Sequence, residues 1–318
     1  MKEVSSIGNF IIDLPSTDAA TALSGTGNSS LKKFESLTDV SFTIRGLQLE
    51  LSGLVSKLEK ASALVELTRP IWEQGIEVPE VDLKAALNSL DLGQESTHAE
   101  LGNKVLARSN KGRYLRPRTI RQKAYVEAIE THELTFAIGP AGTGKTFLAT
   151  VLAARLLNEK KIEKIILTRP AVEAGENLGF LPGDLQQKVD PYLRPLYDSL
   201  HTIFGSERTN TLIEKGIIEV APIAFMRGRT LDNSLIILDE AQNTTSSQMR
   251  MFLTRLGDRS KMVVNGDITQ VDLKNGENSG LVEASKIFDN TEGIKICYLT
   301  VEDVVRHPLV QKIIEAYQ

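Results

Sequence analysis

A single cysteine, Cys297, stands among the 318 residues. No disulfide can therefore close within the chain, and a reducing compartment suits it. Its setting, Ile-Lys-Ile-Cys-Tyr-Leu, is an apolar run, which makes it a small core residue rather than a nucleophile. No apolar run reaches membrane-spanning length. The opening residues (MKEVSSIGNF) lack the charged-then-apolar layout of a secretory signal. The expectation is a cytoplasmic protein with no membrane association. Four histidines, His98, His132, His201 and His307, are scattered without metal-ligand spacing. Overall basicity is missing too: the net charge is −4.

What is present is ordinary in bulk and uneven in distribution. Hydrophobic residues make up 41% of the chain, enough for a large core, and the length allows about two domains. Residues 94–123 carry eight Lys and Arg against two acids, while both flanks are net acidic. Positive charge is thus concentrated in one short segment.

The strongest local signal is Gly139-Pro140-Ala141-Gly142-Thr143-Gly144-Lys145-Thr146, which fits G-x-x-x-x-G-K-[ST] at every position. With Gly at about 7% of residues, a chance match in a chain of this length is on the order of one in a hundred. Leu134–Ile138 before it reads as a buried strand, and Lys145–Leu157 after it as a helix of good helix formers. In such a strand–loop–helix, backbone N–H groups and the helix N-terminus cradle phosphates. Lys145 is expected on the β- and γ-phosphates, and the Thr146 hydroxyl on Mg²⁺. Residues 139–147, Phe147 included, form the expected nucleotide-binding set, with ATP and Mg²⁺ as cofactors.

A second signal closes the buried run Leu235–Leu238: Asp239-Glu240. Asp239 at a strand's carboxyl end suits Mg²⁺, and Glu240 is the residue type that polarises an attacking water. The strand at 162–168 falls between the two motifs, an order that marks the ATPase division with a catalytic glutamate (ASCE) rather than nucleotide kinases and GTPases. Asp267 and Gln270 follow another strand, 262–264, as a polar pair able to sense a γ-phosphate or water. Gln122 lies on a helix, Thr119–Thr131, that Thr119 is expected to cap; its amide could read an adenine edge.

The rest of the chain divides around this unit. Residues 1–37, rich in Ser, Thr, Gly and Asn, read as a mobile leader. Residues 38–93 read as a small α+β domain: a hairpin on either side of Arg45-Gly46, an amphipathic helix from Leu54, breaks at Pro70 and Pro79, and a second helix from Val81. Residues 94–118 read as a basic linker with Arg108, Lys111, Arg113, Arg116 and Arg118 interleaved with Tyr114. The cluster is either a solvated tether or a phosphate-backbone contact. Residues 119–318 hold the P-loop domain. Within it, Ala171–Pro195 is broken by glycines and prolines and suits a substrate-contacting segment, with Arg169, Glu173 and Glu176 as its polar groups.

Taken together, GPAGTGKT, ILTRPAVEAGENLGFLPGDLQQKVDPYLRPLYDSL, IILDEAQNTT and NGDITQVDL resemble the PhoH family of P-loop ATPases, from about Arg116 to the C-terminus. The resemblance implies a RecA-like α/β core with a parallel sheet flanked by helices, related to superfamily 1 helicases. It places Gln122 at the adenine-reading glutamine, Asp239 to Gln242 at the DEAQ motif, and Gly266-Asp267 with Gln270 at the GD-x-x-Q motif. It also implies a KH-like N-terminal part, although residues 38–93 lack the G-x-x-G clamp. RNA is the implied substrate, and a YbeY-like endoribonuclease an implied partner.

Superfamily 1 helicases place nucleotide between two RecA-like lobes, and one P-loop core is present here. A homo-oligomeric ring, with six subunits the expected number, would let a neighbour supply an arginine finger. Arg250, Arg255 and Arg306 are the candidates, and Arg306 is preferred for its VRHP setting. The expected activity is ATP hydrolysis driving work on RNA. The alternative is a nucleotide-dependent scaffold or switch that recruits a ribonuclease. A small-molecule phosphotransferase fits least, since Glu240 favours water as nucleophile.

Overall fold

The computed structural model describes residues 6–170, 185–273 and 277–304. The chain divides into two compact units, residues 1–104 with 118–120, and residues 105–117 with 121–318. Among the described residues no helix is long and apolar enough to cross a membrane.

The first unit begins with β1 (Ile7–Asp13), α1 (Thr17–Ser24) and α2 (Ser29–Thr38), then β2 (Ser41–Arg45), β3 (Gln48–Leu54) and α3 (Val55–Trp72). The strands form an antiparallel sheet in the order β1-β3-β2, with Ile12 opposite Leu49 and Phe42 opposite Leu51. The expected hairpin is present, its two-residue loop led by Gly46 at φ +60°. The expected leader is not. Residues 7–13 pair along the length of β3, and Ala19, Leu23, Leu31 and Phe34 are buried. Part of the polar composition that reads as loose is capping chemistry for the short helix α1. Ser16 Oγ accepts from Ala19 N at 3.1 Å, and Gly25 closes α1 at φ +68°.

Pro70 does not end its helix either. Ile71 and Trp72 beyond it are buried, and Trp72 Nε1 donates to Val65 O at 3.0 Å, so packing carries α3 through the proline. α4 (Glu80–Asp91) and α5 (Glu95–Asn103) complete the unit. The basic linker is likewise structured. It contributes α5 to this unit, and a two-stranded hairpin, β4 (Ala107–Arg108) with β5 (Tyr114–Leu115), to the next.

The second unit is built on a six-stranded, wholly parallel sheet. Its strands are β6 (Leu134–Ile138), β7 (Lys164–Arg169), β8 (Ile218–Pro222), β9 (Ser234–Leu238), β10 (Lys261–Gly266) and β11 (Ile294–Tyr298), in the order β11-β6-β10-β9-β7-β8. Both faces are covered, which is why the strands read as unbroken apolar runs. Leu235 and Ile237 face a core shared with α6 (Ile120–Thr131), α7 (Lys145–Asn158) and α8 (Leu185–Phe204). Ile236 and Leu238 face the opposite core, with α10 (Ser246–Leu253) and α11 (Gly280–Ile287). The short helix α9 (Ser206–Glu214) follows α8.

β10 lies between β6, which feeds the glycine loop, and β9, which ends in Asp239. That inserted strand is what the ASCE arrangement requires; the strand expected at 162–168, β7, lies on the far side of β9 and does not fill that place. α8 starts at Leu185, inside the segment Ala171–Pro195 expected to be irregular, and runs through Pro191 and Pro195. Leu193, Leu196, Leu200 and Ile203 form its buried stripe, so burial again outweighs the prolines. Cys297 is half-buried on β11 and packs against the first core. Burial pushes its thiol up to about 11, with Lys295 opposing weakly. Glu173, Glu176 and Arg306 lie outside the described residues, within 171–184 and 305–318.

Candidate nucleotide site

The loop from Gly139 to Gly144 leaves β6 and enters α7 at the carboxyl edge of the sheet, where ligands of open α/β folds bind. Two glycines are dictated by geometry. A Cβ on Gly139 would lie 2.5 Å from Leu299 O, so no other residue fits there without backbone movement. Gly144 stands at the N-cap of α7 with φ +79°, and no side chain caps the helix. The first-turn N–H groups of α7 therefore have no side-chain acceptor at the cap, the condition for holding an anion. Phe147 packs its ring against the core, so what it can offer a ligand is its backbone N–H.

Lys145 is buried, and its Nζ donates to Gly139 O at 2.6 Å and Pro140 O at 2.9 Å, with Thr143 Oγ1 at 3.4 Å. The ammonium thus lies across the loop it belongs to. Thr146 Oγ1 donates to Asp239 Oδ1 at 2.5 Å, across 93 residues of sequence. Burial, and next the charge of Glu240, raises the Asp239 carboxyl above its ordinary range; the Thr146 hydroxyl and Arg169 oppose this. A buried carboxylate beside a hydroxyl, at the end of a parallel strand, is a donor set that fits Mg²⁺ shared with phosphate oxygens.

Glu240 has a left-handed backbone, φ +51°, and starts a short 3₁₀ turn over Ala241–Asn243. Its Oε1 is 3.0 Å from an Arg169 guanidinium nitrogen, and its Oε2 accepts from Gln242 Nε2 at 2.6 Å. Gln242 Oε1 in turn accepts from Asp267 N at 3.0 Å. Asp267 Oδ2 accepts from Ala141 N at 3.2 Å and from Gln270 Nε2 at 2.8 Å. One polar chain therefore runs from Glu240 through Gln242 and Asp267 back to the glycine loop, and Gln270 hangs on it.

Gln122 is 2% exposed, not a solvent-facing helix residue. Its Nε2 donates to Thr143 O at 3.0 Å and lies 3.5 Å from Asp303 O, so the residue expected at the adenine edge braces the loop. Among the arginine candidates, Arg255 directs its guanidinium to Met251 O, Arg229 O and Thr254 Oγ1 of its own chain. Arg250 lies exposed on α10.

Three neighbours of the site were not among the expected site residues. Tyr125, fully buried, points its hydroxyl to Asn265 Oδ1 at 2.8 Å and sits 3.2 Å from Lys145 O; burial holds its phenol well above the ordinary range. Asn265 closes the buried run Met-Val-Val with an amide whose Nδ2 has no hydrogen-bond partner among the described residues. A polar residue inside a strand buried on both faces is the signal that could have flagged it. Arg169 was expected as a polar group of the substrate-contacting segment, but its pairing with Glu240 was not.

Residues 114–318 match the family described as PhoH-like protein. A PhoH-like protein of Synechocystis is 50% identical over 307 residues, covering 96% of this chain and 94% of that one. One of Bacillus subtilis is 48% identical over 304 residues, covering 96% and 95%. Protein PhoH of Escherichia coli is 48% identical over 198 residues, 62% of this chain and 56% of that one. Among solved structures, the UvsW helicase of bacteriophage T4 overlaps at a TM-score of 0.35 and 13% identity, covering 65% and 67% of the two chains, too loosely to carry an argument. On its motifs, its strand order and these relatives, the chain belongs to the PhoH-like protein family, with a P-loop ATPase-type core.

Proposed function

We propose that this protein hydrolyses ATP with Mg²⁺ and couples turnover to RNA as a homo-oligomeric ring. The observation that carries the hydrolytic part is the meeting of Thr146 Oγ1 with Asp239 Oδ1 at 2.5 Å, with Glu240 beside them. Lys145 would leave its loop carbonyls for the β- and γ-phosphates. Thr146 and Asp239 would hold Mg²⁺, which supplies charge neutralisation on the transferring phosphoryl group. Glu240 would polarise water, while Gln270 and Asp267 tie the γ-phosphate region to the loop.

For RNA contact the β4–β5 hairpin is favoured. Arg108, Lys111 and Arg113 are exposed on it, and the Arg108 guanidinium lies 4.6 Å over the Tyr114 ring. The first unit offers less. Its α1–α2 connection reads Gly25-Thr26-Gly27-Asn28, and the Glu77 carboxylate accepts from the Ser29 and Ser30 hydroxyls at 2.9 and 3.1 Å. An acid therefore stands at the N-terminus of α2, where a phosphate clamp would need a donor.

ATP turnover with RNA, DNA or no nucleic acid, at fixed salt, tests the reading; stimulation by RNA is expected. Alanine at Arg108, Lys111 and Arg113 together should flatten log affinity against log salt by about 0.7 per cation on single-stranded RNA. Turnover indifferent to RNA would favour the scaffold alternative.

The ring follows from the expectation that a neighbouring subunit supplies an arginine finger, a group worth roughly 10³–10⁵ in rate. Arg250 and Arg255 are the candidates among the described residues, and Arg306 is preferred for its VRHP setting. Light scattering with and without ATP should find an oligomer, and a monomer turning over at full rate would remove the ring.

A further inference from the structure

Glu240 is restrained on both carboxylate oxygens, by Arg169 at 3.0 Å and by Gln242 at 2.6 Å, while its backbone occupies a left-handed conformation that L-residues adopt only at a cost. A group that must face water over a γ-phosphate is here turned to two protein donors. The two restraints differ in kind. Gln242 is bonded at its other end to Asp267 N, and Asp267 holds Ala141 of the glycine loop. Removing Gln242 would disturb the loop itself. Arg169 approaches from the neighbouring strand: it ends β7, which pairs with β9, and Asp239 N donates to Thr168 O at 2.9 Å. The Arg169 side chain keeps 20% of its surface exposed at the carboxyl edge of the sheet. A guanidinium also binds phosphate oxygens through the same fork that binds a carboxylate.

We infer that Arg169 is a positioning residue that holds Glu240 in a resting pose, and that an RNA phosphodiester arriving at the end of β7 takes over the guanidinium and frees Glu240 for water. This rests on the hydrolytic reading above and adds to it the link between substrate and turnover. The step is an exchange of ion-pair partners; no bond is made or broken by Arg169.

Steady-state ATP hydrolysis by the full chain tests it, comparing wild type with Arg169→Ala, Arg169→Lys, Glu240→Gln and the Arg169→Ala/Glu240→Gln double variant, with and without single-stranded RNA. Arg169→Ala should raise the RNA-free kcat about fivefold, the scale of losing one partly exposed ion pair, with KM for ATP unchanged. Its ratio of stimulated to unstimulated rate should approach one. Arg169→Lys, which keeps the charge but not the fork, should fall between Arg169→Ala and wild type. The double variant should be as inactive as Glu240→Gln, because the gain acts through Glu240.

An RNA-free kcat in Arg169→Ala at or below wild type, with Glu240→Gln inactive, would overturn the restraint and leave the hydrolytic reading standing. So would a raised KM with kcat unchanged, which would put Arg169 on the nucleotide. A fast Arg169→Ala beside a wild type indifferent to RNA would overturn RNA as the releasing anion. An active Glu240→Gln would instead sink the hydrolytic reading, whatever Arg169 does.

Discussion

Replacing Glu240 with Gln is expected to lower ATP turnover by about 10²–10⁴-fold, the range for losing a positioned acid–base group. Nucleotide affinity should stay close to wild type. The amide has nearly the shape of the carboxylate, and its carbonyl can still accept from Arg169 or Gln242, which now surround Glu240 at 3.0 and 2.6 Å. The turn over Ala241–Asn243 and the φ of +51° at position 240 need no change. What disappears is the negative charge that draws a proton from water. Phosphate release measures the first quantity and calorimetric titration of the nucleotide the second. Turnover within tenfold of wild type would move the water-polarising role to another residue.

Lys145→Ala is expected to fail earlier, at binding. Lys145 Nζ now satisfies Gly139 O and Pro140 O, so its loss strips two carbonyls of a donor while removing a buried cation. These effects oppose each other. The nucleotide-free protein should lose no more than about 1–2 kcal/mol, or a few degrees in Tm. Nucleotide should separate the variants sharply. At 100 times Kd a ligand stabilises by about 2.7 kcal/mol, and a hundredfold weaker Kd at the same concentration leaves roughly 0.4 kcal/mol. A thermal-shift series with ATP and Mg²⁺ should therefore show a clear rise for wild type and Glu240→Gln and almost none for Lys145→Ala. Equal shifts in all three would mean that Lys145 does not touch the phosphates.

The two substitutions also divide the site along the line where sequence reading stopped. Gly139–Thr146 was legible because a strand, a tight loop and a helix are consecutive in the chain, and the bonds of Lys145 Nζ to Gly139 O and Pro140 O stay within six residues. Asp239 and Glu240 were legible because they close an apolar run whose burial follows from composition. Gln122 was placed at the site for its amide, but its bracing of Thr143 O depends on how α6 packs, and a motif does not encode that. Residues 1–37 misled because capping residues and disordered residues share a composition; only pairing with β3 and burial of Phe34 distinguish them. Pro70, Pro191 and Pro195 misled because local backbone preference is a smaller term than burying a helix face.

By itself the sequence determined the phosphate loop, the acidic strand end, the alternation of strands and helices, and membership of the PhoH-like family. All of these depend on neighbours in the chain or on long unbroken motifs. Only the tertiary structure decided that β10 stands between the loop strand and the acidic strand. It alone decided that Asp267 holds Ala141 from 126 residues away, and that Arg169, at the end of a neighbouring strand, reaches an oxygen of Glu240. These are meetings of side chains at strand ends, set by strand order and packing, and residues so far apart carry no spacing from which the meeting could be read.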